Sequence, residues 1–390
     1  MYLFIFCIDR VSLAQLFQTD YNLPTFEEVI MRKVLFLFSL YAVTVACDPF
    51  HTQFDDTEPA RFYKAKTVQD DTVEKTTLTV MTWNIKYGGG RILFFWECGG
   101  KRGNMTESEV RGHMDGIAAK IRELDPDIVL LQEVDVLSKR SAYIDQVQYL
   151  LDHTSLNYGY YASAWKADFI PSDGIGRMDS GNAILSRWKL TEGKRIALPL
   201  IGNSSLLEQY FYLKRNILMA RVMHPFHSFM VVNVHTEAFA EDNTKKKHLE
   251  EFHRVLFDLA TQNIVFVAGG DLNSIPKMSP QRKDFPDDSC GDARFKGDDY
   301  SGEEDWLDSL FNDFYSAIPP EVFEADPASY FTFVGFDGSL PWNRCLDYLF
   351  SNRPFVEGSG RVHQTAQPPS LDPRLLSDHA PVLANWEVMP

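Results

Sequence analysis

The amino-acid sequence predicts an α/β protein with one large domain. Apolar, strand-like runs alternate with amphipathic helical segments, which is typical of this class. Between Thr76 and Pro390, no shift of composition, heptad pattern or internal repeat marks a second boundary. We therefore expect a single domain over residues 76–390, which is large but within reach of a protein that stacks two β-sheets.

The predicted strands share a run of apolar residues that stops at a glycine or at a polar residue. In Ile264–Ser274, the apolar run is closed by two glycines and is followed at once by Asp271 and Asn273. A carboxylate and a carboxamide at a rigid strand end are well placed to bind a water or a phosphate. The other predicted strands are Thr76–Lys86, Ile128–Val134, Ser180–Ser186, Phe211–Met223, Phe229–Thr236, Cys345–Phe350 and Ala380–Trp386.

Three segments have helical character. Thr106 and Glu109 form a capping box, which predicts a helix that begins there and ends near Leu124. Its apolar residues fall on one face, so this helix is expected to pack on a sheet. The other predicted helices are Ser141–His153 and Lys245–Ala260.

Two long loops connect these elements. Tyr87–Gly103 is rich in glycine and carries the apolar run Ile92–Trp96. These apolar residues either pack on the domain's own core or contact a substrate or a lipid, and both interpretations stay open. Pro276–Glu304 is long and polar, and we predict that it is a surface excursion.

The N-terminal residues are predicted to lie outside the domain. Residues 31–47 combine a basic pair, an apolar run of roughly thirteen residues and small residues before Cys47, which is the pattern of a secretory signal. The run is shorter than the ~20 apolar residues of a membrane-spanning helix. We expect Met31 to be the true start and residues 1–30 to be an upstream extension, because a signal should begin the chain. Residues 48–75 are polar and are expected to form a linker.

Cys47 is compatible with two kinds of signal cleavage. Ala46–Cys47 resembles a bacterial lipoprotein site, at which Cys47 would be lipidated and would attach the protein to a membrane. Thr44 stands where such sites usually carry leucine, so ordinary cleavage is the alternative. In either case the protein is expected to be secreted, periplasmic or lipid-anchored at the outer surface.

Composition and missing motifs narrow the chemistry. The net charge of −16 argues against a broad electrostatic grip on bare nucleic acid, although a local basic groove or a bound metal is compatible with it. The five cysteines form no Cys-x-x-Cys pair, which disfavours a zinc knuckle. The motifs of phosphate-binding loops, serine-hydrolase elbows and zinc proteases are also missing from the sequence.

Polar residues end, or in one case interrupt, most of the predicted strands. One such residue is ordinary, but loops at one edge of a sheet are where catalytic groups collect. Carboxylates and amides are suited to Mg²⁺, Mn²⁺ or Ca²⁺, and histidines can contact phosphoryl oxygens or transfer protons. The residues concerned are Asn84, Glu133, Asn182, His235, Asp271 with Asn273, Asp347, and Asp378 with His379.

These residues stand in motifs that resemble those of the endonuclease/exonuclease/phosphatase superfamily, which includes DNase I-like nucleases, inositol polyphosphate phosphatases and neutral sphingomyelinases. The resemblance extends over roughly Leu78–Trp386. It implies a four-layer α-β-β-α sandwich, in which helices flank two mixed β-sheets. The matching motifs, in order, are Trp83–Ile85, Leu131–Glu133, Gly181–Ser186, Asn233–His235, Gly270–Asn273, Leu346–Tyr348 and Ser377–His379.

The resemblance also implies roles for individual residues. Mg²⁺, with Mn²⁺ or Ca²⁺ as alternatives, would be bound by Asn84, Glu133 and Asp378. Asp271 and Asn273 would orient the attacking water and the phosphate. His235 would stabilise the phosphoryl oxygens, and Asp347 would form a carboxylate–histidine pair with His379. Whether Asp271 or His379 takes the proton of the water is left open.

Three further expectations concern single positions. Asn182 and Arg215 are predicted to contact substrate, although for Arg215 and its neighbour Lys214 a solvated strand start is equally compatible. Asp179 stands where repair nucleases of this superfamily carry an active-site tyrosine, which disfavours an abasic-site nuclease. Because the implied fold brings their loops to one face, Cys98 and Cys290 are predicted to form a disulfide, as suits an exported protein.

Together these features predict an exported, metal-dependent phosphoesterase that acts as a monomer on a phosphodiester or phosphomonoester. The substrate is open between nucleic acid, a phospholipid headgroup and a small phosphoester. An extracellular nuclease and a sphingomyelinase-like lipid phosphodiesterase are therefore both compatible with the sequence. A catalytically silent binding module on the same fold is the alternative from another class.

Overall fold

Two mixed β-sheets form the centre of the protein in a computed structural model that describes residues 48, 50–202, 204–238, 240, 242–292, 294–335, 338–365 and 371–388. The strands of this part of the chain are β1 (Thr57–Pro59), β2 (Arg61–Lys64), β3 (Thr77–Asn84), β4 (Ile128–Asp135), β5 (Tyr158–Ile170), β6 (Gly176–Ser186), β7 (Leu190–Ala197), β8 (Asn216–Val222), β9 (Phe229–His235), β10 (Phe266–Asp271), β11 (Tyr315–Ser316), β12 (Asp347–Ser351), β13 (Arg361–Val362) and β14 (Val382–Glu387). Sheet A has the order β1-β7-β8-β9-β10-β12-β11, and sheet B has the order β13-β14-β3-β4-β6-β5-β2. Each sheet contains one parallel pair, β9 with β10 and β3 with β4.

Helices cover the outer faces of the two sheets. The first helix begins at the predicted capping box, where Thr106 Oγ1 accepts from the Glu109 amide at 3.3 Å and Glu109 Oε2 accepts from the Thr106 amide at 2.8 Å. Such a cap stabilises a helix by about 1 kcal/mol. The helices of the described residues are α1 (Glu107–Leu124), α2 (Gln146–His153), α3 (Leu206–Phe211), α4 (Thr244–Thr261), α5 (Asp308–Asp313) and α6 (Pro320–Ala325).

Three apolar layers hold these elements together. Leu130 of sheet B and Val231 of sheet A belong to the layer between the two sheets. Ile117 of α1 and Leu150 of α2 pack in a second layer with sheet B. Phe252 of α4 lies in the third layer, with residues of sheet A, α5 and α6. The predicted four-layer α-β-β-α sandwich is therefore confirmed.

The prediction that residues 48–75 are only a linker is wrong for their middle part. β1 pairs with β7 at the edge of sheet A, and β2 pairs with β5 at the edge of sheet B. Most of their side chains are exposed, and only Tyr63 is buried. A short edge strand needs little apolar sequence, so the composition of this segment did not reveal its pairing.

The second predicted helix begins five residues later than expected, at Gln146. The backbone φ angles of Ala142 and Tyr143 are +54° and +58°, which interrupts helical geometry after a short 3₁₀ turn. Asp145 then caps α2, because its side chain accepts from the Gln148 amide at 3.1 Å.

The predicted strand Phe211–Met223 is also shorter than expected. Phe211 ends α3, and β8 begins at Asn216 and pairs with β9 as predicted. The apolar side chains before Asn216 misled the prediction, because a short helix and a strand are not distinguished by a brief apolar run.

The two long loops contribute to the core. Phe94 of the glycine-rich loop is fully buried in the layer outside sheet B, which favours packing on the protein's own core for this residue. Phe285 and Tyr300 of the polar loop 276–304 are buried in a small cluster with Ile275 and Leu346. The loop is therefore not purely a surface excursion.

The predicted extension, signal and lipidation site, residues 1–47, lie outside the described residues. The described residues up to Gln53 belong to one compact unit, and residues from Phe54 onward form a second. In the part of the chain that the structure describes, none of the helices combines the length and apolar character that crossing a membrane requires.

Candidate active site

The centre of the site is the end of β10, where two glycines allow three strands to approach closely. A Cβ atom on Gly270 would lie 1.8 Å from the Val234 carbonyl oxygen, and the φ of Gly270 is +141°. A Cβ on Gly269 would lie 2.2 Å from the Tyr348 carbonyl oxygen. Only glycine fits at either position, since real Cβ atoms do not approach that closely.

Strand register then brings the first polar residues together. Asp271 is level with His235 of β9 in the parallel pair and with Asp347 of β12 in the antiparallel pair. His379 comes from the segment that precedes β14 in sheet B. The four side chains therefore meet at one end of the two stacked sheets, beside the end of β10.

Asp271 is within reach of both histidines. Its Oδ2 atom is 3.4 Å from His235 Nε2 and 3.5 Å from His379 Nε2. His379 Nδ1 is 2.8 Å from Asp347 Oδ2, so the predicted carboxylate–histidine pair is present in the structure. Asp271, Asp347 and His379 each bring a potential ligand atom within 4.8 Å of the others.

Burial and charge set the protonation of this cluster. Burial raises the pKa of Asp271 to about 7, against the opposing attraction of His379. Burial would lower the pKa of His379, but the carboxylates of Asp347 and Asp271 outweigh it and raise that pKa to about 10. Burial, together with Arg215 and His379, holds the pKa of His235 well below its usual range. At neutral pH, His379 is therefore cationic and His235 is neutral.

Asn84 and Glu133 lie next to this cluster. Asn84 Nδ2 donates to Glu133 Oε1 at 3.2 Å and to Asp271 Oδ2 at 3.0 Å. Glu133 has a φ of +54° and lies where the pairing of β4 with β6 shifts register between Leu131 and Val134. Such a bulge re-aims a side chain at a cost of order 1–3 kcal/mol, and strain of this kind is common at functional sites.

Asn273 and Asp378 complete the predicted set. Asn273 has a φ of +46°, and its backbone amide donates to Asp271 Oδ1 at 3.0 Å. Its side-chain nitrogen donates to the Thr236 carbonyl at 3.1 Å. Asp378 Oδ2 is 3.6 Å from Lys86 Nζ. Burial would raise the pKa of Asp378, but Lys86 and His379 outweigh it and lower that pKa.

The two predicted substrate contacts differ in what they bind. Asn182 is buried and donates to the Asn216 carbonyl at 3.1 Å, so its amide nitrogen already has a partner in the sandwich. Arg215 is 6% exposed, and its Nε lies 3.8 Å from Glu237 Oε2 and has no hydrogen-bond partner in the described residues. Because Lys214 and Arg215 are both buried, the alternative of a solvated strand start is wrong.

The Asp179 side chain forms its hydrogen bonds within the β5–β6 hairpin. Its Oδ1 accepts from Tyr161 Oη at 2.8 Å and from Ser163 Oγ at 2.6 Å. Burial raises its pKa despite these hydrogen bonds. Asp179 therefore serves packing between β5 and β6 through these contacts.

Sequence reasoning missed the buried amides beneath the site. Gln132 Nε2 donates to Asn233 Oδ1 at 2.7 Å, which joins sheet B to sheet A. Asn233 Nδ2 donates to the Leu131 and Ala183 carbonyls, at 2.9 Å in each case. Both residues stood inside the quoted motifs, so their buried polar character on a strand was the available signal. Lys86 was missed altogether, although it follows Asn84 by two positions.

The donor set fits a divalent cation. Glu133 and Asp378 offer carboxylates and Asn84 offers an amide, which are the hard ligands that Mg²⁺ and Mn²⁺ prefer. Asp271, Asp347 and His379 form a second group of possible ligands beside this set, and Asp347 Oδ1 is buried without a hydrogen-bond partner in the described residues. Of the three predicted ligands, Asn84 and Glu133 are in contact, whereas the Asp378 carboxylate accepts from Ser377 Oγ at 3.2 Å and lies 3.6 Å from Lys86 Nζ.

The Endonuclease/Exonuclease/phosphatase family model matches residues 81–379. The protein therefore belongs to this family, whose members are generally hydrolases of phosphate esters and typically use divalent metals. The residues that the sequence predicts to be catalytic lie within the matched range. No match was found among curated proteins.

Several solved structures are similar to this chain. The endonuclease/exonuclease/phosphatase from Beutenbergia cavernae is 20% identical, with 80% of this chain and 72% of that chain covered and a TM-score of 0.50. The family protein from Bacteroides vulgatus is 16% identical over 81% of this chain and all of that chain (100%), with a TM-score of 0.49. Truncated TDP2 from Caenorhabditis elegans is 18% identical, with 80% of this chain and 98% of that chain covered and a TM-score of 0.46.

Proposed function

We propose that the protein is an exported, divalent-cation-dependent phosphoesterase that hydrolyses a phosphate ester with an activated water. One observation carries the proposal: the Asp271 carboxylate lies 3.4 Å from His235 and 3.5 Å from His379. A base between two phosphate-stabilising groups is what attack by water on phosphorus requires. A binding module has no need for such a constellation.

Asp271 is the general base in this proposal. A carboxylate with a pKa of about 7 accepts a proton from water far better than an ordinary one and is still partly ionised at neutral pH. The Asn273 amide fixes Asp271 Oδ1, so that the other oxygen remains directed at the histidines. His379, with a pKa of about 10, is already protonated at neutral pH and is unsuited to accept the proton.

The histidines and Arg215 stabilise the charge that develops on the phosphoryl oxygens. His379 donates to an oxygen as a cation, and Asp347 keeps its ring oriented, as the carboxylate does in a catalytic triad. His235 donates from the neutral form. Arg215 Nε, which is buried and lacks a hydrogen-bond partner in the described residues, is a further donor toward the phosphate.

Asn84, Glu133 and Asp378 would hold the cation. When bound, it would supply Lewis-acid stabilisation of the phosphoryl group. The hydrogen bonds from Asn84 Nδ2 to Glu133 and to Asp271 keep the ligands and the base in a common arrangement.

The first experiment separates a hydrolase from a silent binding module. Purified protein is assayed on bis(p-nitrophenyl) phosphate with Mg²⁺, Mn²⁺ or Ca²⁺. We expect turnover that EDTA abolishes and that His379→Ala lowers about 10³-fold or more, because both orienting and charge-stabilising contacts are lost. His253→Ala, which removes the histidine of another His–Asp pair (2.7 Å from Asp313) on α4, is the matched control and is expected to keep activity. No turnover with any cation would contradict the proposal.

For the substrate class we propose a lipid phosphodiester. Leu206 and Leu207 of α3 are 85% and 71% exposed, and Phe169 at the end of β5 is 53% exposed. The Trp165 indole of β5 donates to the Phe211 carbonyl at 2.6 Å, so this apolar helix is fixed to the sheet beside Arg215. Exposed apolar residues on a helix that lies just before Arg215 in the chain suit a lipid surface, and the net charge of −16 does not suit a polyanion.

A substrate panel tests this choice against an extracellular nuclease. We expect faster hydrolysis of sphingomyelin vesicles than of plasmid DNA or RNA. Leu206→Ser with Leu207→Ser is expected to raise KM for the vesicles several-fold while leaving bis(p-nitrophenyl) phosphate hydrolysis unchanged. Phe257→Ser, on the outer face of α4 and 47% exposed, is the control. Preferred hydrolysis of nucleic acid would favour the nuclease.

The export part of the proposal has two supports. The signal pattern of residues 31–47 is one. The Cys98–Cys290 disulfide is the other, since such bonds persist mainly in oxidising compartments. We propose a secreted, periplasmic or lipid-anchored monomer, and mass spectrometry of the exported protein would identify its first residue and any lipid on Cys47.

A further inference from the structure

A buried lysine lies on the cation side of the site. Lys86 is 5% exposed and has a φ of +44°, a strained conformation for a residue other than glycine. Its Nζ is 2.6 Å from Glu97 Oε1 and 3.6 Å from Asp378 Oδ2. Lysine is rarely buried unless it is paired, and here two carboxylates share one ammonium group.

Glu97 is held firmly by its own loop. Its Oε2 accepts from the Phe94 amide at 2.7 Å, and the rings of Phe94 and Trp96 stack with centroids 4.9 Å apart. The next residue, Cys98, is bonded to Cys290 of the other long loop. Glu97 is therefore a fixed partner, and it keeps Lys86 closer to itself than to Asp378.

We propose that Lys86 and Glu97 set the affinity of the site for its divalent cation, with Glu97 drawing the ammonium group away from Asp378. The proposal rests on the proposed function. Lys86 competes with a cation for the Asp378 carboxylate, because both are positive charges next to the same oxygen atoms. Glu97 offsets this competition and leaves Asp378 available. Lys86 is thus a positioning residue that acts through Asp378.

The two members of the pair therefore have opposite effects on cation binding. Removing the charge of Lys86 leaves Asp378 and Glu97 uncompensated, which attracts a cation more strongly. Removing the charge of Glu97 frees Lys86 to pair with Asp378, which repels a cation. A purely structural role would weaken binding in both variants, since each would distort the site.

The test measures Mn²⁺ binding to the full chain by titration calorimetry, without substrate. We expect Lys86→Met to lower Kd about tenfold or more and Glu97→Gln to raise it by a similar factor. The double variant, which restores the charge balance, is expected to return Kd to within about threefold of wild type. Lys101→Met, an exposed lysine of the same loop, is the matched control and should leave Kd unchanged.

Folding of each variant is checked by circular dichroism and thermal melting. Should Lys86→Met not fold, Lys86→Gln takes its place, because it also removes the charge and is expected to lower Kd while Glu97→Gln raises it. Shifts of Kd in the same direction for Lys86→Met and Glu97→Gln, or no shift in either, would overturn the proposal. A wild-type protein that binds no Mn²⁺ would instead contradict the proposed function itself.

Discussion

The two sides of the candidate site are built by different means. On one side, Asp271, His235 and Asp347 occupy register positions of three adjacent strands, so hydrogen bonds between backbones place them. On the other side, Lys86 and Glu97 belong to a loop that turns through positive φ angles and is tied down by a disulfide. The strand side carries the reaction in our proposal, and the loop side adjusts its cation requirement.

The comparison predicts which substitutions lower kcat and which change the cation affinity. Changes on the strand side should lower kcat by orders of magnitude, because each group there either contacts reacting atoms or orients a group that does. Changes on the loop side should shift the cation affinity while largely sparing kcat. The following predictions test this division, from the largest expected effect to the smallest.

Asp347→Asn should lower kcat about 10³-fold or more, because His379 would lose the carboxylate that orients its ring and sustains its charge. The KM for bis(p-nitrophenyl) phosphate is expected to change little. Steady-state kinetics at saturating Mn²⁺ provide the measurement. A loss of kcat of less than tenfold would mean that the Asp347–His379 pair is not part of the catalytic machinery.

Gly270→Ala should lower the free energy of unfolding by about 3 kcal/mol or more, because the new methyl group would meet the Val234 carbonyl at 1.8 Å. Thermal and urea unfolding provide the measurement. Gly112→Ala is the matched control, since Gly112 lies within α1 with open space around it. That variant is expected to be neutral or to stabilise the protein by up to about 1 kcal/mol. Equal effects of the two variants would argue against the close strand packing.

Cys98→Ser with Cys290→Ser should lower the free energy of unfolding by about 2–4 kcal/mol, since the bond closes a long loop of chain. We also expect a several-fold rise in the Mn²⁺ concentration for half-maximal activity, with kcat at saturation within about threefold of wild type. If the Mn²⁺ requirement did not change, the disulfide would have no part in setting the cation affinity of the site.

The pH dependence of stability should follow the raised pKa of His379. A histidine whose folded pKa lies above its unfolded value stabilises the protein below pH ~6.5, and this contribution is lost as the pH rises toward about 10. In EDTA, the Tm difference between wild type and His379→Gln should therefore be largest near pH 6 and should shrink toward pH 10. A difference that grows with pH would mean that the pKa is lowered instead.

Strand-end motifs allowed much of this protein to be predicted from its sequence. The family, the four-layer fold, the capping box at Thr106 and the Cys98–Cys290 pairing are confirmed. The strands that carry Asp271, His235 and Asp347 were predicted, and their registers bring these residues together. The roles of the individual residues stay predictions.

The remaining features depend on tertiary structure that local sequence does not encode. β1 and β2 are edge strands whose pairing partners lie about a hundred residues or more away in the chain, so polar composition concealed them. The bulge at Glu133 appears only where β4 meets β6. Lys86 was not singled out, because nothing in the sequence indicated that Glu97 and Asp378 would lie next to it.

The most direct test of the account is the pH–rate profile of Asp271→Asn compared with that of wild type on bis(p-nitrophenyl) phosphate. In wild type, kcat should rise with pH as the buried Asp271 carboxylate ionises, and this rise should lie below pH ~7 once a cation is bound. Asp271→Asn should lose kcat about 10³-fold or more and should lose that rise. Full activity of the variant, with the rise unchanged, would contradict the assignment of Asp271 as the base.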